Sequence, residues 1–231
     1  MDIIKRALQE GRTVLSEHEA KEIFRQYSVP VARGELVADK DGLAAAAEKI
    51  GYPVVIKACS CRITHKTEKG LVVTGIRDER EIIHAFEELT SRIKGSDYGI
   101  LVEEMVDGKR ELMAGLVRDS HFGPCVMFGL GGIFTEVLKD VSFRLAPLGR
   151  EDAIEMMTEI NGHRILDAIR GMPAADRDKL ADLVVNIGRI GVENKEIAEI
   201  DVNPVIISGT DPVAVDALIT LSAETGQEKN I

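Results

Sequence analysis

Near the end of the sequence, three oxygen-bearing side chains have the type and spacing of a cation site. In EIAEIDVNPVII, Asp201 and Asn203 stand two apart and so on one face of a strand, and Asp216 falls on the apolar return segment PVAVDALI. Oxygen donors from two adjacent strands, with waters completing the shell, are how Mg²⁺ is held beside nucleotide phosphates. The same carboxylates also fit plain surface charge, although Asp201 and Asp216 are embedded in apolar sequence. A second candidate lies in residues 126–147, VMFGLGGIFTEVLKDVSFRLAP, where an apolar run breaks into Gly129-Leu130-Gly131-Gly132. Glycines free φ and remove Cβ, so consecutive N–H groups can converge on an anion. Glu136, Lys139, Asp140 and Arg144 follow closely. A glycine-rich hairpin between two buried strands would read the same way.

Earlier in the chain, Val54-Val55-Ile56-Lys57 reads as a buried strand ending in a lysine. An unpaired charge there is costly, so Lys57 is expected to reach an anion or a carboxylate. The loop CSCRITHKTEKG follows, with His65 beside Lys66 and Lys69, a setting that suits either a solvated histidine or one that meets phosphate. Glu103-Glu104 and then Glu111 place carboxylates at a strand exit, or on a solvated hairpin rim. The C-x-C pair Cys59 and Cys61 has no second Cys or His pair at zinc-site spacing and is not read as a metal site.

The elements that must position these residues are legible in part. Residues 1–14 read as a packing segment, and Ser16 with Glu19 forms a capping box before the apolar face of Ile23, Phe24 and Tyr27. VARGELV reads as a strand, and Asp41 is placed to cap the helix LAAAAEKI, which stops at Gly51. LVVTGI is a strand, and Asp78 caps a helix with Ile82, Phe86, Leu89 and Ile93 on one stripe. ILVEEM and ELMAGLVRD are strands, residues 150–170 and 174–190 are expected to be helical, and two apolar strands joined by a turn close the chain. No internal repeat or low-complexity linker interrupts this order.

Composition sets limits on function. With 231 residues, 45% hydrophobic and 29% charged, the chain can bury a substantial core as one large domain or two lobes. Its 29 basic and 39 acidic residues give a formal charge of −10, and no basic tract interleaves with aromatics, which argues against a nucleic-acid partner. No run approaches the roughly 20 apolar residues of a membrane span, and MDIIKRALQEGR lacks the apolar core of a signal peptide. Cys59, Cys61 and Cys125 fit a reducing compartment. A cytoplasmic location is expected.

In order, PVVIK, a His-bearing loop, VEEMVDGKREL, FGPCVMFGLGGIFTEVLKDVSFRLAPL and EIDVNP resemble the ATP-grasp (β) subunit of ADP-forming acetate–CoA ligases, relatives of succinyl-CoA synthetase. The resemblance runs over residues 15–222 and rests on all these motifs in sequence. It implies an α/β (α+β) ATP-grasp fold, with two lobes that each carry a mainly antiparallel sheet flanked by helices, and a nucleotide in the cleft between them. The expected division is an N-terminal segment 1–14, an N-terminal lobe with the histidine loop 15–105, and a C-terminal lobe 106–225. Lys57 then resembles the lysine on the nucleotide phosphates. Glu103 and Glu104, with the backbone near Met105 and Val106, resemble the hinge facing adenine, and Glu111 the carboxylate on the ribose. Gly131 and Gly132 belong to the phosphate-facing loop. Asn203 and Asp216, with Asp201 close by, resemble Mg²⁺ ligands.

In that family an acyl-CoA and phosphate give an acyl phosphate on a CoA-binding α subunit, and the phosphoryl group travels on histidines to ADP. The resemblance makes His65 a relay residue, with Arg144 neutralising phosphoryl oxygens and Glu136 beside them. Phosphoryl transfer needs mainly positioning and charge stabilisation, which such residues supply. It implies ATP/ADP and Mg²⁺ as cofactors and an α2β2 assembly. One departure stands out. The family loop reads SPDIxHKSDxGGV, whereas here Cys61 and Arg62 replace its proline and aspartate, and Leu71 its second glycine. Two alternatives stay open on the residues alone: another ATP-grasp carboxylate ligase that uses no phosphohistidine, and a nucleotide-sensing regulatory subunit.

Overall fold

Strands and amphipathic helices build two antiparallel sheets in the computed structural model, which describes residues 2–63, 66, 69–93, 98–132 and 138–222. His65 and Glu136 lie outside the described residues. In order, the elements are α1 (Ile3–Gln9), α2 (Glu17–Gln26), β1 (Gly34–Val37), α3 (Lys40–Ile50), β2 (Val54–Cys59), β3 (Val72–Ile76), α4 (Glu79–Arg92), β4 (Gly99–Glu104), β5 (Glu111–Asp119), β6 (Gly123–Leu130), β7 (Val141–Leu145), α5 (Arg150–Glu159), a 3₁₀ turn (His163–Leu166), α6 (Arg177–Glu193), β8 (Ile197–Ser208), β9 (Asp211–Ala214) and β10 (Leu218–Leu221).

The chain divides into two compact units. The smaller comprises residues 16–18 and 32–106, and the larger comprises 1–15, 19–31 and 107–231. The expected division was 1–14, 15–105 and 106–225; residues 19–31 group here with 1–15 and 107–231. Ile4, Ala7, Leu15, Ala20, Ile23 and Phe24 are buried in the core of the larger unit, because α1 and α2 turn apolar faces to it.

The smaller unit carries a four-stranded sheet in the order β1-β4-β2-β3. Leu43, Ala46 and Ala47 of α3 and Ile82, Ala85 and Leu89 of α4 are buried in one cluster with Val54, Ile56, Ile100 and Val102 of the sheet. Asp78 caps α4 by accepting the Glu81 N–H at 2.9 Å, as its position before the apolar stripe predicts. The cap of α3 is Asp39 rather than Asp41. Asp39 has the extended backbone of an N-cap and accepts the Gly42 N–H at 2.9 Å, leaving Asp41 in the first turn.

The larger unit carries a six-stranded sheet in the order β10-β8-β5-β6-β7, with β9 paired to β8. One face is covered by helices. Leu180, Leu183, Val184, Ile187 and Ile190 of α6 are all buried there, with Leu116, Val126 and Ile200 of the strands. Glu19, expected in a capping box with Ser16, carries Arg6 at 3.0 Å and Arg12 at 2.9 Å.

Two local expectations change. The helix expected over 150–170 stops at Glu159. There the buried Asp140 carboxylate accepts the N–H groups of Asn161 at 2.8 Å and Gly162 at 2.7 Å, and so turns the chain. The return strand after β8 is interrupted, and Asp216 lies in the gap between β9 and β10 rather than on a strand. Opposite that gap, Leu112 pairs with Val205 and Ala114 with Val202, so Asn203 and Pro204 together face Met113 in a bulge.

Candidate functional site

In the smaller unit the chemistry gathers on β2 and β4. Register sets Val55 opposite Glu103 and Lys57 opposite Leu101, so the lysine that ends the apolar run of β2 and the acid on β4 share a sheet face. The Lys57 ammonium lies 2.7 Å from Glu17 and 2.8 Å from Glu103, and both carboxylate side chains are only 2% exposed. The expected counter-charge for Lys57 is thus a pair of carboxylates. Glu17 also holds Lys66, immediately after His65 in sequence. The result is an alternating chain, Glu103, Lys57, Glu17, Lys66, which balances its charges out of water.

The two neighbouring acids on β4 have separated roles. Glu103 turns inward to Lys57, while Glu104 accepts the Arg33 N–H at 2.8 Å and Arg33 Nε at 2.7 Å. Beyond them Met105 donates its N–H to the Pro53 carbonyl at 3.2 Å and leaves its side chain 44% exposed; Val106 is half-buried.

In the larger unit the glycine turn meets β5 and β8. Gly131 donates its N–H to the Glu111 carbonyl at 2.9 Å, and Gly132 donates its N–H to Asn203 Oδ1 at 3.0 Å. Backbone crowding requires glycine at 131, while at 132 the positive φ favours it and a Cβ would displace the Glu111 carboxylate. A Cβ on Gly131 would sit 2.3 Å from the Leu112 carbonyl oxygen. One on Gly132, where φ is +61°, would sit 1.9 Å from Glu111 Oε2. Glu111, Gly131, Gly132 and Asn203 therefore converge, although they are far apart in the chain.

Asp201 lies opposite Gly115 on β8, on the sheet face away from the helices. Burial first, then the charges of Glu199 and Asp216, push its carboxyl up to about 6. Asp216 accepts the N–H of Ala217 at 2.8 Å. Carboxylates that repel each other in a half-buried place fit a hard cation that would relieve them. Among the described residues no three His, Cys, Asp or Glu side chains gather as a metal set. The oxygen-bearing side chains that could hold one are two carboxylates and the amide of Asn203, whose Oδ1 accepts the Gly132 N–H. Mg²⁺ held by these residues would supply positive charge for phosphate oxygens.

Arg144 is placed differently from the expectation. It pairs across β6 with Val126, which is buried under the helices, and its guanidinium binds Glu159 at 2.9 Å and Glu155 at 3.4 Å on α5. Strand alternation puts Arg144 on the face opposite Asp201 and Asn203. Two of these residues, one in each unit, were not singled out from the sequence. Glu17 had no local signal, whereas Glu199 was readable as the first member of the alternation Glu199, Asp201, Asn203.

All three cysteines are free thiols. Among the described residues no helix is long and apolar enough to cross a membrane.

Helix-backed antiparallel sheets with a glycine turn set against a carboxylate and an amide are what an ATP-grasp protein is built from. The family description "ATP-grasp domain" matches residues 6–221. The chain is 40% identical over 225 residues to the acetate–CoA ligase [ADP-forming] I subunit beta of Pyrococcus furiosus, covering 95% of this chain and 97% of that one. It is 37% identical to the corresponding II subunit beta of the same organism, over 96% of this chain and 97% of the relative. Among solved structures, the dinucleotide-forming acetyl-coenzyme A synthetase 1 of Ca. Korarchaeum cryptofilum, in complex with coenzyme A, Ca-AMPCP and HgCl+, superposes with a TM-score of 0.93 at 41% identity, covering 96% of this chain and 99% of that one. The same enzyme with coenzyme A and Mg-AMPPCP, its phosphohistidine segment pointing towards the nucleotide-binding site, gives a TM-score of 0.86 at 41% identity and the same coverage. The chain belongs to the ATP-grasp domain family, within the group of β subunits of ADP-forming acetate–CoA ligases.

Proposed function

We propose that this chain is the nucleotide-handling β subunit of an ADP-forming acid–CoA ligase, interconverting acyl-CoA, ADP and phosphate with carboxylic acid, ATP and CoA. The observation that carries this reading is the correspondence along nearly the whole length of both chains with the Pyrococcus furiosus β subunit. Phosphate displaces CoA from the acyl group, giving an acyl phosphate on a CoA-binding α subunit. A histidine nitrogen then takes the phosphoryl group and releases the carboxylate. The phosphohistidine passes that group to the terminal oxygen of ADP, which forms ATP and regenerates the histidine. His65 is the histidine of this chain in that relay.

The chain's own residues position and neutralise. Lys57, held between Glu17 and Glu103, meets nucleotide phosphate. The backbone at Met105 and Val106, with Glu104, faces the adenine, and Glu111 accepts ribose hydroxyls. Gly131 and Gly132 let the backbone approach the phosphates without a Cβ in the way. Asp201, Asn203 and Asp216 would hold Mg²⁺, which when bound supplies charge neutralisation on the phosphoryl oxygens. The proposed assembly is α2β2 and its location the cytoplasm.

Reconstitution tests the reading. The full chain mixed with its CoA-binding partner, acetyl-CoA, ADP, phosphate and Mg²⁺ is expected to form ATP, and neither chain alone is. Complete conversion by this chain alone would contradict it.

A further inference from the structure

Arg110 is a buried cation whose side chain meets no anion. It is 3% exposed, and its guanidinium bonds only carbonyl groups, those of Ile165 and Asp167 at 3.4 Å each and that of Gly209 at 2.9 Å. Its Nε has no partner, and among the described residues no carboxylate lies within ion-pair distance. Carbonyl oxygens satisfy donors but leave the charge uncompensated, which is costly away from water. The sheet puts it there. The Arg110 carbonyl accepts the Ile207 N–H at 3.0 Å, so the pairing with β8 runs one residue beyond β5. Alternation then sends Glu111 to the open face and Arg110 to the helix-covered face, with the buried Leu112.

A cavity of about 380 Å³ lies against this arginine, lined wholly by residues of the larger unit. Lys109 and Arg170 line it too, and among the described residues neither side chain has an ion-pair or hydrogen-bond partner. Asp107, the one acidic residue in the lining, is exposed, and Met172, Pro173 and Ile207 supply an apolar wall. Arg170 sits at the tip of a tight turn, closed by Ile169 and Met172 exchanging N–H to carbonyl bonds at 3.1 and 2.9 Å. Its φ is +50° and that of Gly171 is +82°, a pair of conformations that favours asparagine and glycine. An arginine is thus held there against backbone preference. We propose that this cavity binds a phosphate group, carried by free phosphate or by a small phosphate ester, at a site separate from the nucleotide's. Guanidinium and ammonium groups match phosphate oxygens in charge and geometry, the volume suits a small organic ligand, and the apolar wall takes the body of an ester. Glu111 and Asp201 lie on the other face of the sheet, so the two sites do not share side chains. The proposal stands apart from the relay reading.

The test titrates the full chain with inorganic phosphate and, separately, with phenyl phosphate. It follows the amide resonances of Gly108, Gly171 and Gly209 at the cavity, with those of Gly131 and Gly132 reporting on the nucleotide site. A saturable shift at the three cavity glycines is expected, weakening as salt is added. Arg110 itself ties three segments together, so the variant is Lys109→Gln with Arg170→Gly, which removes two cations and puts glycine where φ is positive. It is expected to weaken phosphate binding by about tenfold or more without lowering the melting temperature. Tighter binding of phenyl phosphate would support the site and assign it to an ester, and equal affinity would support it with free phosphate as the ligand. No saturable shift at the cavity glycines, or shifts confined to Gly131 and Gly132, would overturn the proposal. So would wild-type affinity in the folded variant, which would show an adventitious ion only.

Discussion

Asn203 accepts the N–H of Gly132 at 3.0 Å, joining the bulge of β8 to the glycine turn that follows β6. The contact places a proposed metal ligand and a proposed phosphate-facing backbone in one hydrogen-bonded unit, so neither can shift without the other. Gly132→Ala tests this directly. The new Cβ would lie 1.9 Å from Glu111 Oε2, at a φ of +61° that costs a non-glycine residue about 1 kcal/mol. We expect kcat/KM for nucleotide to fall by between about tenfold and a hundredfold. Asn203→Asp, which keeps an acceptor, should be milder than Asn203→Ala. Equal activity in Gly132→Ala and wild type would show that the turn is not at the nucleotide.

Lys57 separates stability from binding. Lys57→Met would remove the cation that Glu17 and Glu103 share, leaving Glu17 with Lys66. Breaking a buried pair in this way costs about 3–5 kcal/mol, a loss readable as an earlier midpoint in urea. Adding Glu103→Gln to Lys57→Met should restore part of that loss while leaving nucleotide binding abolished. Recovery of binding along with stability would count against Lys57 as a phosphate contact.

Asp140 predicts an acid-sensitive element. Burial acts to raise its pKa, but the N–H groups of Gly162 and Asn161 outweigh it and hold the carboxyl below its ordinary value. A lowered folded pKa means stability that is present above the unfolded value of about 3.9 and lost as pH falls through the folded one. Asp140→Asn should therefore cost about 2–4 kcal/mol at neutral pH, with the gap from wild type closing below about pH 4. A gap that does not change with pH would show that the ionised carboxylate is not what ends α5.

Arg144 offers a negative control. Its partners Glu155 and Glu159 lie on α5, on the helix-covered side of the sheet. Exposed ion pairs of this kind contribute little, so Arg144→Gln should leave kcat and KM within about twofold of wild type. A hundredfold loss of kcat would return Arg144 to the reacting phosphate.

What the sequence made legible was what is local. Asp78 before the stripe of Ile82 and Leu89 gave α4, the run from Leu180 to Ile190 gave α6, and the glycines at 131 and 132 announced a close approach. What stayed hidden depends on residues distant in the chain. The end of α5 is set by Asp140, some twenty positions earlier. The break that carries Asp216 lies opposite Asn203 and Pro204, where Pro204 has no N–H to offer the ladder. Alternation shows that Arg144 and Phe143 point to opposite faces, but not which face the helices cover. Glu17 sits at the polar start of a helix, and nothing nearby in the sequence marks it as the partner of two lysines.

In the proposed reaction a phosphoryl group passes through this chain on His65. Incubating the full chain with Mg²⁺, γ-labelled ATP and the CoA-binding partner, and comparing wild type with His65→Ala, tests it most directly. Acid-labile, base-stable label is expected on the wild-type chain and none on the variant, with nucleotide binding retained in both. Tight nucleotide binding without label on the wild type, or label that survives in His65→Ala, would contradict it.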